Sequence, residues 1–316
     1  MNVIKPGFQS PIQDLGRFGY SHLGISASGA ADIVSLRIGN LLLGNDQNLA
    51  AIEMTLVGGE FLFDSETFIA ITGSDFQPKL DGIQIPLWET VIIKSGQTLR
   101  FGATQSGARC YLCIKDGFSV DKILGSTSTH LLTGIGGYKG RSLMKDDEIN
   151  FAGSDTKNFR WQCVKKEIVN EIMSNKKIFV TKAPQSDYFS TETLELFSSS
   201  IYTVSEEANR MGLRLIGTPL RQINNKDIIT EGVSLGAIQV SHDGYPIILF
   251  VEILTGYYVS SFCDLFCTFG KDKTCLSKSS TVIKDFSILT SRLSILSRSF
   301  SSANLSLCKS LKVTVD

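Results

Sequence analysis

The chain has 316 residues, enough to bury a sizeable core and, given the usual limit on one core, to form about two domains. Lys and Arg total 31 and so do Asp and Glu, so no net field exists to hold nucleic acid or an anionic membrane, and a charged ligand must be gripped by local groups. Seven cysteines, an odd number in a chain too long to need stapling, fit a reducing compartment, and the cytoplasm is the expected location.

The N-terminal MNVIKPGFQS lacks the apolar core and small-residue cleavage site of a secretory signal. The turn that follows, PIQDLGRFGYSHLG, gathers Gln13, Asp14, Arg17 and His22 between glycines that permit unusual backbone angles. Arg17 offers a planar fork for a carboxylate or phosphate; the competing reading is an ion pair with Asp14 that fixes the loop. ISASGAAD then leads into a predicted helix from about Ala30 to Leu43, with Ser28 as its cap, Gly44 as its stop, and Ile33, Leu36 and Leu43 on one face. The start of that helix favours an anion, which Asp32 already supplies.

Short runs rich in Ile, Val, Phe and Thr, among them EFLFDSETFIAITG, IQIPLWETVIIKSG, TLRFG and ARCYLCIKDG, are cut by Gly, Asp and Asn. They read as strands and tight turns, which makes the fold mainly β with a few short helices. Cys110 and Cys113 form a CxxC inside such a run. Side chains three apart on a strand face opposite sides, so the pair is expected to be buried hydrophobe and not a metal or redox site.

LGSTSTHLLTGIGGYKGR combines the hydroxyls of Ser126, Ser128 and Thr129 with His130 and the glycines Gly134, Gly136, Gly137 and Gly140. Such glycines expose backbone amides that can cradle an oxyanion or phosphate, with Lys139 or Arg141 adding charge; a Gly-rich turn between strands is the plainer reading. From 153 to 177 the chain becomes charged and loses the strand pattern, which marks a domain junction. A second helix is predicted near Glu192 to Ser198. Further on, SEEANRMGLRLIG offers Asn209 and Arg210 beside a turn, and ITEGVSLGAIQVSHDGYPI offers Glu231, Gln239 and Asp243 to orient a polar substrate or accept a proton. Turn-stabilising bonds and surface ion pairs are the alternatives for these residues.

The most apolar stretch, Pro246 to Phe266, contains Glu252 and Asp264, which argues against a membrane span. Beyond about residue 254 only two of the 28 glycines remain, no Pro occurs, Ser dominates and four of the seven cysteines appear. Neither a helical face nor a clean alternation is visible there. The chain has no GxxxxGK[ST] loop, HExxH or GxSxG elbow, and its three histidines argue against a multi-histidine metal centre.

Taken in order, QDLGRFGYSHLGISASGAAD, NLLLGN, LDG, LRFG, LGSTST, GGYKGR, SEEANRMGLRLIG, EGVSLGAIQV and DGYPI resemble the biotin-dependent carboxyltransferase-like family with paired A and B subdomains, over about residues 3 to 251. That family includes the C subunit of 5-oxoprolinase, the second subunit labelled allophanate hydrolase and part of urea carboxylase. The resemblance implies cyclophilin-like β-barrel subdomains, here 1–160 for A and 161–254 for B, followed by the atypical 255–316 tail. It also implies ATP-dependent opening of 5-oxo-L-proline to L-glutamate together with partner subunits A and B, with ATP and Mg held by the complex.

On that reading Arg17 or Arg210 clamps the substrate carboxylate, and the hydroxyls of Ser126, Ser128 and Thr129 meet the ring carbonyl. Gln13, Asp14, Asn209 and Gln239 complete the substrate contacts, Glu231 or Asp243 acts as base, and Gly134, Gly136, Gly137 and Arg141 face the cofactor. Two other roles fit the same family: a biotin-dependent carboxyltransferase component acting on urea or a related amide, with biotin brought by another chain, and a non-catalytic regulator that binds an inhibitor of a histidine kinase. The sequence departs from the family at Asp116-Gly117, where a Gly pair is usual, at Thr127, where Arg is usual, at Ala31, where Met is usual, and in a run reduced to Thr255-Gly256-Tyr257. With the change of composition, this predicts a reading-frame change that replaced the C-terminus, leaving the B subdomain short of its last strands with open edges and impaired activity.

Overall fold

A computed structural model describes residues 1–151, 159–174, 177–223, 233–252, 263–268, 281–284 and 311–312. Contacts divide the chain into two compact units, the first comprising Met1–Phe18 and Ala27–Ser174, the second Gly19–Ser26 and Asn175–Asp316. Among the described residues the fold is mostly β, with three antiparallel sheets and three α-helices of nine or ten residues, as the alternating runs predict.

The first unit holds β1 (Asn2–Lys5), β2 (Ile12–Gln13), β3 (Ala51–Thr55), β4 (Glu60–Leu62), β5 (Thr67–Gly73), β6 (Lys79–Leu80), β7 (Ile83–Gln84), β8 (Thr90–Ile93), β9 (Thr98–Arg100) and β10 (Arg109–Ile114). They form two sheets, in the orders β1-β4-β9-β6-β7 and β2-β3-β10-β5-β8. Alternation sends Val3, Phe61 and Leu99 from one sheet, and Ile52, Met54, Ile69, Ile71 and Leu112 from the other, into a shared core. The far face of the second sheet carries Phe68, Ala70, Tyr111 and Cys113 against helix α1 (Ile33–Leu42). Every residue of β5 and β10 is therefore buried, because each strand has apolar layers on both sides. Cys110 belongs to one layer and Cys113 to the other, so the CxxC is split across the sheet as expected.

Helix α1 corrects the predicted start. Its cap is Asp32, whose side chain accepts from the Ser35 amide at 3.0 Å and from the Ser35 hydroxyl at 2.6 Å. Ser28 lies before the helix in the left-handed region, at φ 52°, and cannot serve as cap. Leu36 and Leu43 are fully buried, whereas Ile33 is 36% exposed and leaves the apolar face. Gly44, at φ 62°, closes the helix as expected. The charged segment 153–177 contains a helix that the strand-based reading missed, α2 (Lys166–Ser174).

The second unit contains β11 (Lys177–Lys182), α3 (Thr191–Ser199), β12 (Ile201–Val204), β13 (Gly212–Ile216), β14 (Ala237–Val240), β15 (Pro246–Leu249), β16 (Cys263–Thr268), β17 (Thr281–Lys284) and β18 (Leu311–Lys312). Its described strands form one sheet, in the order β17-β11-β16-β14-β15-β13-β12-β18. Ser190 caps α3 by accepting from the Thr193 amide at 3.2 Å, close to the predicted position of the second helix. Most of the tail, including Thr255-Gly256-Tyr257, lies outside the described residues, and so does the expected C-terminal replacement. No helix among the described residues is long and apolar enough to cross a membrane.

Candidate functional site

In the first unit the polar turns converge on Asp14, just past the end of β2. Its side chain is 1% exposed and accepts five hydrogen bonds: from the Gly16 amide at 2.8 Å, the Thr127 amide at 2.7 Å and hydroxyl at 3.0 Å, and the hydroxyls of Ser126 at 2.7 Å and Ser128 at 2.5 Å. Burial pushes the Asp14 carboxyl up, but the hydrogen bonds from Ser128, Ser126, Thr127 and Gly16 outweigh it and hold the group below the ordinary aspartate range. The Ser128 hydroxyl also accepts from the Asp14 amide at 3.1 Å, and the Ser126 hydroxyl accepts from the Ser128 amide at 3.0 Å. Arg17, 2% exposed, donates from Nη2 to the Ser128 carbonyl. Gln13 donates from Nε2 to the Thr129 carbonyl at 3.0 Å, and the Thr129 hydroxyl donates to the Ile12 carbonyl at 2.9 Å.

This arrangement brings Gln13, Asp14, Arg17, Ser126, Ser128 and Thr129 into one cluster, and it also limits them. A hydroxyl has a single proton. Those of Ser126 and Ser128 go to Asp14 and that of Thr129 to a backbone carbonyl, so a substrate carbonyl could receive one only if the proton left its present acceptor. The three hydroxyls therefore act as scaffold in this conformation, which corrects the expectation that they face a substrate. Thr127, at the position where the family usually has Arg, is a working member of the cluster through both its amide and its hydroxyl.

A second buried carboxylate lies beside the same turns and was not picked out from the sequence. Glu53 in β3 is fully buried, and its Oε2 accepts from the Ala31 amide and from the Tyr111 hydroxyl, both at 2.7 Å. Tyr111 in turn accepts from the Asp32 amide at 2.7 Å, and Arg109 Nε lies 3.4 Å from Glu53 Oε1. Burial, reinforced by the charge of Glu53, pushes the Tyr111 phenol well up, so it stays a proton donor. The one available signal was a lone Glu in the apolar run AIEMT. Between the two carboxylates, segments 14–17 and 27–30 lie back to back, with the Arg17 amide bonded to the Ala27 carbonyl at 2.7 Å and the Ala30 amide to the Asp14 carbonyl at 2.9 Å. A Cβ on Gly16 would stand 2.7 Å from the Ala27 carbonyl oxygen, which is why glycine is required there.

The Gly-rich turn does not fit a phosphate. Gly134, Gly136, Gly137 and Gly140 all have positive φ, and at three of them the space a Cβ would take is filled by the chain itself: Ser128 O at 2.2 Å from Gly136, Thr129 Oγ1 at 1.8 Å from Gly137, and Gly134 O at 1.9 Å from Gly140; at Gly134 the nearest atom is 3.8 Å away. The amides of Gly134, Gly137 and Gly140 donate to the carbonyls of His130, Thr127 and Gly136, so three of the four are already committed within the chain and are not free to cradle a phosphate. Arg141 holds Asp147 through Nη1 at 2.6 Å and Nη2 at 2.8 Å, and Lys139 stands 3.8 Å from the same carboxylate, so a phosphate would have to displace it. The expected cofactor contacts of Gly134, Gly136, Gly137 and Arg141 are thus replaced by internal ones.

In the second unit, Asn209 Oδ1 accepts from the amides of Met211 at 2.8 Å and Gly212 at 3.3 Å, which is turn chemistry. Arg210 is 4% exposed, with Nε 2.5 Å from Oε1 of the equally buried Glu252. Gln239 is buried in β14, opposite Ile247. Asp243 is exposed in the turn 241–244 that joins β14 to β15. The Glu252 amide bonds to the Arg210 carbonyl, so Arg210 sits beyond the far end of β15, about 20 Å of strand from that turn. Arg210 and Asp243 do not share a hollow, so these two do not meet around one small substrate as the clamp and base that the resemblance implies. Glu231 lies outside the described residues.

Comparison with known proteins gives a consistent grouping. The family described as "Carboxyltransferase domain, subdomain A and B" matches residues 23–263. The chain is 33% identical to the C subunit of 5-oxoprolinase from Escherichia coli over 255 residues, covering 81% of each protein, and 31% identical to that of Haemophilus influenzae over 257 residues with the same coverage. It is 40% identical to urea amidolyase of Saccharomyces cerevisiae over 226 residues, spanning 69% of this chain and 12% of that protein. The crystal structure of Kluyveromyces lactis urea carboxylase superposes with a TM-score of 0.77 at 31% identity, covering 85% of this chain and 25% of that one.

Proposed function

The chain belongs to the carboxyltransferase family of paired subdomains A and B, and from that premise we propose that it serves as a subunit of an ATP-dependent enzyme that opens 5-oxo-L-proline to L-glutamate, working with partner subunits A and B. The observation that carries this reading is the match to the C subunit of 5-oxoprolinase across 81% of both proteins. A lactam resists water because its C–N bond has partial double-bond character, and ATP supplies the energy that makes its carbonyl reactive. The Gly-rich turn of this chain does not fit the nucleotide, so no step is assigned to it. The chain's own contribution is a rigid polar frame: Asp14 fixes the 126–128 turn, and Glu53 with Tyr111 fixes the entry to α1. Asp243, exposed on its hairpin, and Glu231 are the proposed bases for the attacking water.

Reconstitution tests the proposal. This chain is mixed with its A and B subunits and glutamate release from 5-oxoproline is followed with and without ATP. Turnover that needs all three chains and ATP is expected; equal turnover without this chain would sink the reading. A second reading, a carboxyltransferase component for a urea-like amide with biotin carried by another chain, is favoured by the higher identity to urea amidolyase. It predicts ATP- and bicarbonate-dependent carboxylation of urea when a biotin carboxylase and a biotin carrier are added, and inactivity toward 5-oxoproline.

A further inference from the structure

The solvent face of the first sheet carries a pair of cations that the Asp14 cluster does not involve. Direct register places Glu60 opposite Arg100, and Arg100 opposite Lys79, across β4, β9 and β6. Directly opposed residues in antiparallel strands project from the same face. The neighbouring positions Phe61 and Leu99 point into the core, so Glu60, Arg100 and Lys79 point outward, joined by Thr98 and Asp81. Together they line an open trough of about 600 Å³ with Phe101 at its edge. That volume is within the range of sites for small molecules.

The two carboxylates of the trough are already engaged. Glu60 Oε2 is held by Lys5 Nζ at 3.0 Å, and the Asp81 oxygens accept from the Thr98 amide at 2.9 Å and from Gln97 Nε2 at 2.8 Å. Among the described residues Arg100 and Lys79 have no ion pair or side-chain hydrogen bond. Arg100 thus has Glu60 opposite it on one side and Lys79 on the other, and like charges directly opposite one another destabilise a ladder. The lining carries two cations, Lys79 and Arg100, and two carboxylates, Glu60 and Asp81, and Lys5, outside the lining, offsets the charge of Glu60.

We propose that this trough binds a small doubly charged oxyanion, gripped by the Arg100 fork and the Lys79 ammonium. The shared chemistry is a compact dianion, and its two sources are a dicarboxylate and a free phosphate. The site shares no residue with the Asp14 cluster and holds whether or not the chain works on 5-oxoproline.

The test titrates the full chain with succinate and, separately, with inorganic phosphate, by calorimetry at low ionic strength. Saturable binding of at least one is expected, and the one that binds identifies the source. Either Arg100→Gln or Lys79→Gln should weaken it by about tenfold, added NaCl should weaken it further, and Lys94→Gln, outside the trough, should leave it unchanged. Both test positions are exposed, and circular dichroism establishes that the variants fold. Absence of saturable binding to both anions overturns the proposal, as does affinity indifferent to both substitutions.

Discussion

Asp14 shows how a buried charge can be stable with no formal counter-ion among the described residues. Five donors surround it, so transfer from water costs less than the Coulomb field of a bare carboxylate would suggest. Asp14→Asn keeps the shape but turns an NH2 toward groups that are themselves donors, and leaving buried donors unmatched costs about 1–3 kcal/mol. A lower urea midpoint is therefore expected at pH 7. The pH dependence has a definite sign. The folded-state pKa is below the ordinary value, so the carboxylate's stabilisation is present above the unfolded pKa and is lost as pH falls through the folded one. The gap between wild type and Asp14→Asn should accordingly narrow in acid, and a gap that widens there would contradict the assignment.

The glycines of the 134–140 turn separate two effects that are often merged. Gly134 and Gly136 have similar positive φ, 68° and 72°, but a Cβ on Gly134 meets nothing nearer than 3.8 Å, whereas on Gly136 it would lie 2.2 Å from Ser128 O and 2.5 Å from Arg17 Nη2. Gly134→Ala should cost only the left-handed penalty, about 1–2 kcal/mol. Gly136→Ala should cost clearly more in the same unfolding measurement, because backbone and a buried guanidinium must both shift.

At the scale of elements, the second unit's sheet is stitched where β13 begins and β15 ends. Arg210 and Glu252 face each other there in the interior, and a main-chain bond, from the Glu252 amide to the Arg210 carbonyl, joins the same two positions. Removing one member strands the other charge, so Arg210→Ala is expected to lose about 3–5 kcal/mol. The double substitution Arg210→Ala, Glu252→Ala should be less destabilised than that single change in urea unfolding. If it is worse, the pair is not what holds this corner. The strands of both units were legible because alternation and Gly punctuation are local signals, as β5 and β10 show. Helix α2 was not, since its charged sequence was read as a junction, and the cap of α1 was misplaced by four residues because Ser28 and Asp32 are equally good capping types.

For the whole molecule, family membership was readable from the order of its Gly-punctuated motifs, whereas the wiring of the site was not. Asp14 finds four of its five donors 112 to 114 residues away, and Glu53 reaches Tyr111 across 58, distances over which no periodicity speaks. The internal bonds of Ser126, Ser128, Thr129 and Arg141 were hidden for the same reason: residue type shows what a side chain can donate, and only the fold shows where that donor is already committed. Arg210 and Asp243 looked like partners by chemistry, yet a strand separates them.

That span of more than a hundred residues has a consequence for synthesis. At ordinary elongation rates of roughly 5–20 residues per second, residue 14 is added to the chain about 6–23 s before residue 128. Throughout that interval water, and not Ser126, Thr127 or Ser128, must solvate the aspartate, so the polar cluster is among the last parts of the first unit to assemble as the nascent chain emerges.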